Sequence, residues 1–534
     1  GHKLMKNQKT IFHLLFITMS TFCTTNVIAD VSTSRISNDD PRTLQSIASL
    51  QSLKQVQTSD LYTAPHVHEL KNKYKVRSLF VESPALPMVD IQLTFNAGSA
   101  RDIEVEKGLY GVANMAAQLI DEGTTQHDAV EIANAFEQVG ARFSVAAHRD
   151  MFVVRLRSLS DPKKLDAAVS TMLEVLKDST FKNNSISLMV SNTQVGQKQL
   201  KESPGRLMSI RFYRALYGSH PYAEPITGTN GSIKKITTQH LKKFRDEFLV
   251  SQNMNIALTG QLSVKQAQKL AERISAALPQ GEAAKPLAVP QDKPNFDIQH
   301  IVFNSTQAHV TMGHLSTTRD DPDRLALELA NRMLGGGGFS SILMKELRVK
   351  RGYTYGANSA FTFSQAAGSF SLSYSTQQDQ LMDSIQVAHK ALVDFVHQPI
   401  DAQQLEETKA GMLRSLPNSY SSNANINAQL GSIGFYQQDA NYLADYPKRL
   451  AAITSLDVQN AIRKHIHPES LTLVIVSNAL DKEQLRYILE LNLDPNIKQS
   501  IPHPDQIPAI IEPPEPMPEA ASPDSAQTDE PALI

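Results

Sequence analysis

The chain contains no tryptophan and a single cysteine, Cys23. One thiol near the N-terminus excludes an intramolecular disulfide, a Cys-based zinc site and a cysteine nucleophile elsewhere in the chain. Charge of either sign is also lacking in excess. With 52 Lys and Arg against 54 Asp and Glu, the net charge is −2. Nothing in that balance points to nucleic acid or a strongly anionic surface as partner. Long apolar runs are absent after the first 25 residues. The run Ile11–Phe22 is too short to span a bilayer. It follows Lys6 and Lys9 and precedes Val27-Ile28-Ala29, the pattern of a secretory signal peptide. Gly1 to Leu4, ahead of Met5, reads as a vector remnant. Residues 1–29 are therefore set apart from the fold, and export to the periplasm of a Gram-negative cell is expected. Cys23 as a lipid anchor is disfavoured by the bulky Phe22 before it.

What is present centres on residues 330–363, "ANRMLGGGGFSSILMKELRVKRGYTYGANSAFTF". Helix, glycine loop (Gly335, Gly336, Gly337, Gly338), helix, stop and strand are predicted in that order. Leu343, Met344 and Leu347 form the apolar side of the second helix, and Gly352 ends it as a left-handed stop. Arg348 then falls in the last helical turn and Tyr355 at the start of a strand, and both could point at one groove. By spacing alone, Arg348 complementing a helix C-terminus and Tyr355 filling a sheet explain the pair better than function does.

The remaining chain divides by composition. Residues 30–65 are a polar arm. Strands are predicted at 76–82 and 89–95, helices at 109–120 and 127–139, and a strand at 151–159. Asp161-Pro162 opens a helix with Leu165, Val169, Met172 and Leu176 on its buried face. Residues 279–296 are a proline-rich linker, after which the pattern begins again. "QAHVTMGHLSTTRDDPD" echoes "IQLTFNAGSARD", and "ITSLDVQNAIRKH" echoes "ITTQHLKKFRDEF". Gly98 to Ile236 and Gly313 to Ile453 span 138 and 140 residues. An Ile-Thr pair precedes the closing strand by 20 residues in each copy. An internal duplication follows: two α+β domains, 66–278 and 297–490, each a largely antiparallel sheet covered by helices on one face. From residue 491 the chain is a tail. Its last 34 residues hold nine prolines, seven acids and no Lys or Arg, and are expected to be disordered.

"GLYGVANMAAQLIDEGT", "YGSHPYAEPITGTNGSIKKIT", "NIALTG", the glycine loop and "LMKELRVKRGYTYGANS" together resemble the pitrilysin/insulinase metallopeptidases, the group that includes mitochondrial processing peptidase. The likeness covers about residues 65–485. It implies two homologous domains forming half of a clamshell around an unfolded peptide. Members carry His-x-x-Glu-His on the first helix, two zinc ligands on one helix face with a general base between. Counted back from Gly123-Thr124, those positions are Asn114, Ala117 and Gln118. The third ligand, a Glu, is expected within 194–198, which reads "QVGQK". The resemblance also implies an Arg and a Tyr, seven apart after the glycine loop, that hold substrate; Arg348 and Tyr355 match.

The resulting expectation is a non-catalytic, substrate-binding subunit with no metal of its own. It would pair with a His-x-x-Glu-His homologue that carries zinc, forming a heterodimeric peptidase for peptides or unfolded polypeptides. The alternative is a non-enzymatic peptide-binding or scaffold protein of the same fold. No transmembrane segment is expected in the mature chain. His66 with His68 and His465 with His467 alternate as weak metal pairs, while His309 and His314 are expected to face apart. By the same resemblance, residues 142–148 correspond to an edge strand that can pair with a substrate backbone; a plain sheet edge explains them at least as well.

Overall fold

A computed structural model describes residues 64–200 and 202–494. The signal segment with Cys23, residues 30–63 of the arm and the tail beyond 494 lie outside them. The described residues belong to one compact unit.

Two mixed sheets carry the fold. The first is built from β1 (His68–Leu70), β2 (Ser78–Glu82), β3 (Met88–Phe95), β4 (Arg142–Ala147), β5 (Phe152–Leu159) and β6 (Met254–Gly260), in the order β1-β2-β6-β3-β5-β4. The second contains β7 (Asp297–Val302), β8 (Gln307–Leu315), β9 (Ala357–Phe361), β10 (Ser369–Gln377) and β11 (Thr472–Ser477), in the order β7-β11-β8-β10-β9. The five-strand pattern is the same in both. Each has one parallel pair, β2 with β6 and β7 with β11, and is otherwise antiparallel.

The helices repeat as well. In the first half these are α1 (Asp102–Val105), α2 (Val112–Leu119), α3 (Ala129–Gln138), α4 (Pro162–Asp178), α5 (Asn183–Leu200), α6 (Pro204–Tyr217), α7 (Asn230–Ile233), α8 (Thr238–Phe248) and α9 (Val264–Ala277). In the second they are α10 (Arg324–Asn331), α11 (Leu381–His397), α12 (Ala402–Ser415), α13 (Asn423–Phe435), α14 (Tyr442–Ala452), α15 (Ser455–His465) and α16 (Lys482–Leu493). The Ile-Thr echo has a direct cause. Thr237 and Thr454 each accept the N3 amide of α8 and α15 in a capping box, fixing where both helices start. Asp161 caps α4 with Pro162 at its first position, as predicted.

The glycine landmarks differ from expectation. Gly98 follows β3, whereas Gly313 lies inside β8 opposite Thr472. The two glycines are not equivalent, and the duplication rests on topology and caps instead.

One face of each sheet packs on the helices of its own half. Ile91, Leu93, Phe152 and Leu258 meet Ala116, Val169 and Phe244; Val310, Met312, Leu372 and Ile475 meet Leu327, Ile385 and Ile462. The expectation of one covered face is corrected by what lies on the other. Helix α13 of the second half lies on β6 and β3 of the first, and α6 of the first half lies on β11 and β8 of the second. Ile426, Leu430 and Ile433 bury Leu79, Val81 and Ala257. Phe212, Leu216 and Tyr217 bury Leu315 and Val474. Gly431 and Gly434 let α13 approach Gln92 and Asn255, where a Cβ would stand 2.0 and 2.6 Å from the nearest side-chain atoms. Polar joints complete the exchange. Thr259 Oγ1 donates to Asn427 (3.1 Å), Tyr217 Oη to the Ala367 carbonyl (3.1 Å), and the Gln365 amide to Asp150 (2.9 Å).

Candidate functional site

Two places answer to the chemistry read from the sequence. The first is α2. Its start is fixed by Asp102, whose carboxylate accepts the amides of Gly111 (2.7 Å) and Ala113 (2.8 Å). Burial pushes the Asp102 carboxyl up to about 7, against the opposing pull of those amides. Val112, Met115, Ala116 and Leu119 turn into the core. Asn114 is half-buried, Ala117 buried and Gln118 exposed. Facing this helix, α5 brings Gln194 and Gln197. Gln194 Nε2 donates to Asn230 (2.9 Å), and buried Gln197 donates to the Gly228 carbonyl (3.0 Å). Its Oε1 is buried without a partner. The donor set does not fit zinc. Carboxamide oxygens are poor ligands beside imidazole or carboxylate, and Ala117 offers no base.

The second place is the stretch 330–363. After α10 the chain forms a π turn, Arg332–Gly336, a 3₁₀ turn, Gly338–Ser340, and a second π turn, Met344–Val349. Regular α-helix is thus replaced by wider turns of the kind found at functional sites. Leu343, Met344 and Leu347 are buried as predicted. Gly335 lies against β9, where a Cβ would stand 2.4 Å from the Ser359 amide nitrogen. Among the four glycines only Gly338 has positive φ, at 68°. Gly352, also at φ 68°, ends the second turn, with its amide on the Arg348 carbonyl (3.0 Å).

Arg348 and Tyr355 are brought together. Arg348 Nη1 donates to the Tyr355 carbonyl at 2.7 Å, and the guanidinium lies 4.6 Å from the Phe339 ring centroid. Phe339 was not singled out by the sequence reading; an aromatic directly after a glycine run was the available signal. Tyr355 itself is 84% exposed. It does not begin the strand. It sits in the bend before β9, held by Thr354 Oγ1 accepting the Gly356 amide at 3.1 Å. Its residue lines a cleft of about 460 Å³ with Met208, His309, Asn358 and Ser375.

This geometry sits in a fold shared with solved structures. A peptidase M16 inactive domain from Pseudomonas fluorescens is 35% identical, with a TM-score of 0.73, covering 78% of this chain and 98% of that one. The chain belongs to peptidase family M16. Residues 77–230 match the family model "Insulinase (Peptidase family M16)" and residues 235–412 match "Peptidase M16 inactive domain". A Helicobacter pylori protein called "Non-peptidase homolog YmxG" is 26% identical over 416 residues, covering 77% of this chain and 94% of that protein. An "Uncharacterized zinc protease" of Rickettsia felis is 25% identical over 59% of this chain and 74% of its own length. A protease structure from Helicobacter pylori, 16% identical with a TM-score of 0.67 over 77% of this chain and 99% of that one, shares the fold. Similarity to an inactive-type M16 domain is consistent with a non-catalytic role.

The remaining sequence candidates disperse. His66 and His68 meet edge to face (4.5 Å), and His68 stacks on Phe80. His465 is spent on Asp323 (2.9 Å), which also takes Lys464 (2.7 Å), while His467 turns to Glu469 (3.3 Å). The trio Asp321, Asp323 and His465 is close enough to hold an ion, yet Lys464 already occupies Asp323. His309 bonds Ser375 (2.8 Å) on one face of β8, and His314 is buried on the other. β4 (Arg142–Ala147) is the terminal strand of its sheet, paired only to β5 among the described residues. No described helix is long and apolar enough to cross a membrane.

Proposed function

We propose that this chain is the non-catalytic, substrate-binding subunit of a heterodimeric M16 peptidase, working in the periplasm on peptides or unfolded polypeptides. A homologue with an intact His-x-x-Glu-His helix supplies zinc and base, and the two chains close as a clamshell. One observation carries this reading. The zinc-motif positions Asn114, Ala117 and Gln118 hold neither imidazole nor carboxylate, while Arg348 is held in place and Tyr355 stands free beside a cleft. A guanidinium tethered at one nitrogen keeps other N–H groups for a peptide carbonyl, and the Tyr355 phenol can donate one more bond. The residues contribute binding and orientation; the reacting metal centre lies in the partner.

The test mixes the purified chain with the His-x-x-Glu-His homologue encoded in the same genome and follows cleavage of unfolded peptides. Arg348→Ala and Tyr355→Phe are expected to lower cleavage about 10- to 100-fold while the two chains still co-elute. Full activity in both variants removes the assigned role. Peptide binding without cleavage in any mixture favours the non-enzymatic scaffold of the same fold.

A further inference from the structure

The duplication places a second cleft where the first half has its emptied metal position. α10 follows β8 as α2 follows β3, and α12 follows α11 as α5 follows α4. Between α10, the end of β9 and the end of α12 lies a cleft of about 570 Å³. Its walls include Arg319, Glu328, Arg332, Phe361, Phe363 and Tyr446.

The charges in this cleft do not cancel. Several half-buried arginines in the chain have acids: Arg157 has Asp90 (2.9 Å), Arg214 has Glu224 (2.7 Å) and Arg351 has Glu346 (2.9 Å), while Arg211 and Arg348 donate instead to a carboxamide and a carbonyl. Glu328, the carboxylate of this cleft, is already bound by buried Arg324 at 2.5 Å. Arg319 is half-buried, with its guanidinium 5.1 Å from the Tyr436 ring and its Nε buried without a hydrogen bond. Arg332 is exposed at the rim. Among the described residues neither Arg319 nor Arg332 forms an ion pair. A shielded guanidinium without an acid keeps a strong demand for an anion, because fork-shaped N–H donors are poorly satisfied by neutral groups. Beside the two cations, Phe361 and Phe363 stack in parallel at 5.7 Å and supply an apolar wall.

We propose that this cleft is a second peptide subsite, which takes a carboxylate next to an apolar side chain, as at the acidic C-terminal end of a peptide. Arg319 and Arg332 hold the carboxylate, and the phenylalanine pair holds the neighbouring residue. This rests on the reading of the chain as a peptide binder and adds a preference for acidic ends, at a site separate from Arg348 and Tyr355.

The probe is a labelled octapeptide ending in Phe-Glu with a free C-terminus, compared with the same peptide ending in Phe-Gln-amide. Binding to the full chain is read by fluorescence anisotropy at low salt. The acidic peptide is expected to bind at least tenfold tighter, and the preference is expected to shrink as salt is raised. Arg319→Gln should remove most of the preference; Arg332→Gln, at an exposed position, should remove a smaller part. Equal binding of the two peptides overturns this subsite and leaves peptide binding standing. A preference that survives both variants also overturns it. Failure of both peptides to bind overturns this subsite together with the peptide-binding reading.

Discussion

The two halves of the molecule share a five-strand order and a similar helix plan, yet they treat α2 and the stretch after α10 in opposite ways. In the first half α2 is a regular helix with Ala113, Ala116 and Ala117 packed on the sheet, and the residues that would bind metal are amides. In the second half the helix gives way to π turns, and the chain leaves the core to set Arg348, Phe339 and Tyr355 at the surface. The framework is constrained in both places by buried apolar faces, and at α2 also by Asp102 at its start. Chemistry is carried by positions that packing leaves free, which is why one set could be lost while the other stands.

The largest losses are expected at the exchanged helices. Leu430 on α13 is fully buried and Leu216 on α6 nearly so, each against the other half's sheet. Leu430→Ala and Leu216→Ala should each cost about 2–5 kcal/mol, measured by chemical denaturation. Because each half shields the other, one cooperative transition is expected to persist in both variants. Separate transitions for the halves would show that the exchange contributes little.

pH should separate the halves by sign. In the second half, His314 and His389 are buried, with burial lowering each to about 4. His314 Nδ1 donates to the Leu315 carbonyl (2.7 Å) and Nε2 accepts the His467 amide (3.1 Å). His389 Nε2 donates to the Pro468 carbonyl at 2.9 Å. Both neutral rings hold the segment between α15 and β11. Their folded values lie below the unfolded one near 6.5, so this stability is present above pH 6.5 and lost as pH falls through about 4. The loss should reach roughly 3 kcal/mol per ring. In the first half Asp102 is raised, so its contribution is present below about pH 4 and lost as pH rises through about 7. Hydrogen exchange, corrected for intrinsic rates, should show residues 466–470 loosening in acid and the start of α2 loosening towards neutral pH. His314→Gln and Asp102→Asn should each flatten the response of their own half alone.

The smallest effects sharpen the glycine run. Gly335→Ala forces a Cβ onto the β9 backbone and should cost about 1–3 kcal/mol. Gly338→Ala meets no atom within 4 Å, and only its positive φ resists, for about 1 kcal/mol. Thermal denaturation of the pair checks the order; a larger loss at Gly338 would contradict the close approach at Gly335.

Much of this was legible in residues. The capping threonines Thr237 and Thr454, the Asp161-Pro162 start and the burial of Leu343, Met344 and Leu347 follow from local rules that act within a turn or two. The second face of each sheet did not. Val89, Ile91 and Leu93 alternate with Asp90, Gln92 and Thr94, the mark of a strand wet on one side, yet those polar residues are buried too. What covers Gln92 and Thr94 is α13, over 300 residues away in sequence, and no local pattern names that partner. The same limit hid the cleft at Arg319 and Arg332, whose walls come from five separate segments.

Residue order alone fixes the duplication and the lack of imidazole or carboxylate at the zinc-motif positions 114, 117 and 118, since folding cannot supply a donor atom that the side chains do not possess. Only the tertiary structure decided that each half roofs the other's sheet. It also decided that Arg348 is anchored on the Tyr355 carbonyl, leaving that phenol free. Both depend on distances between segments, which the spacing of residues along a chain does not fix.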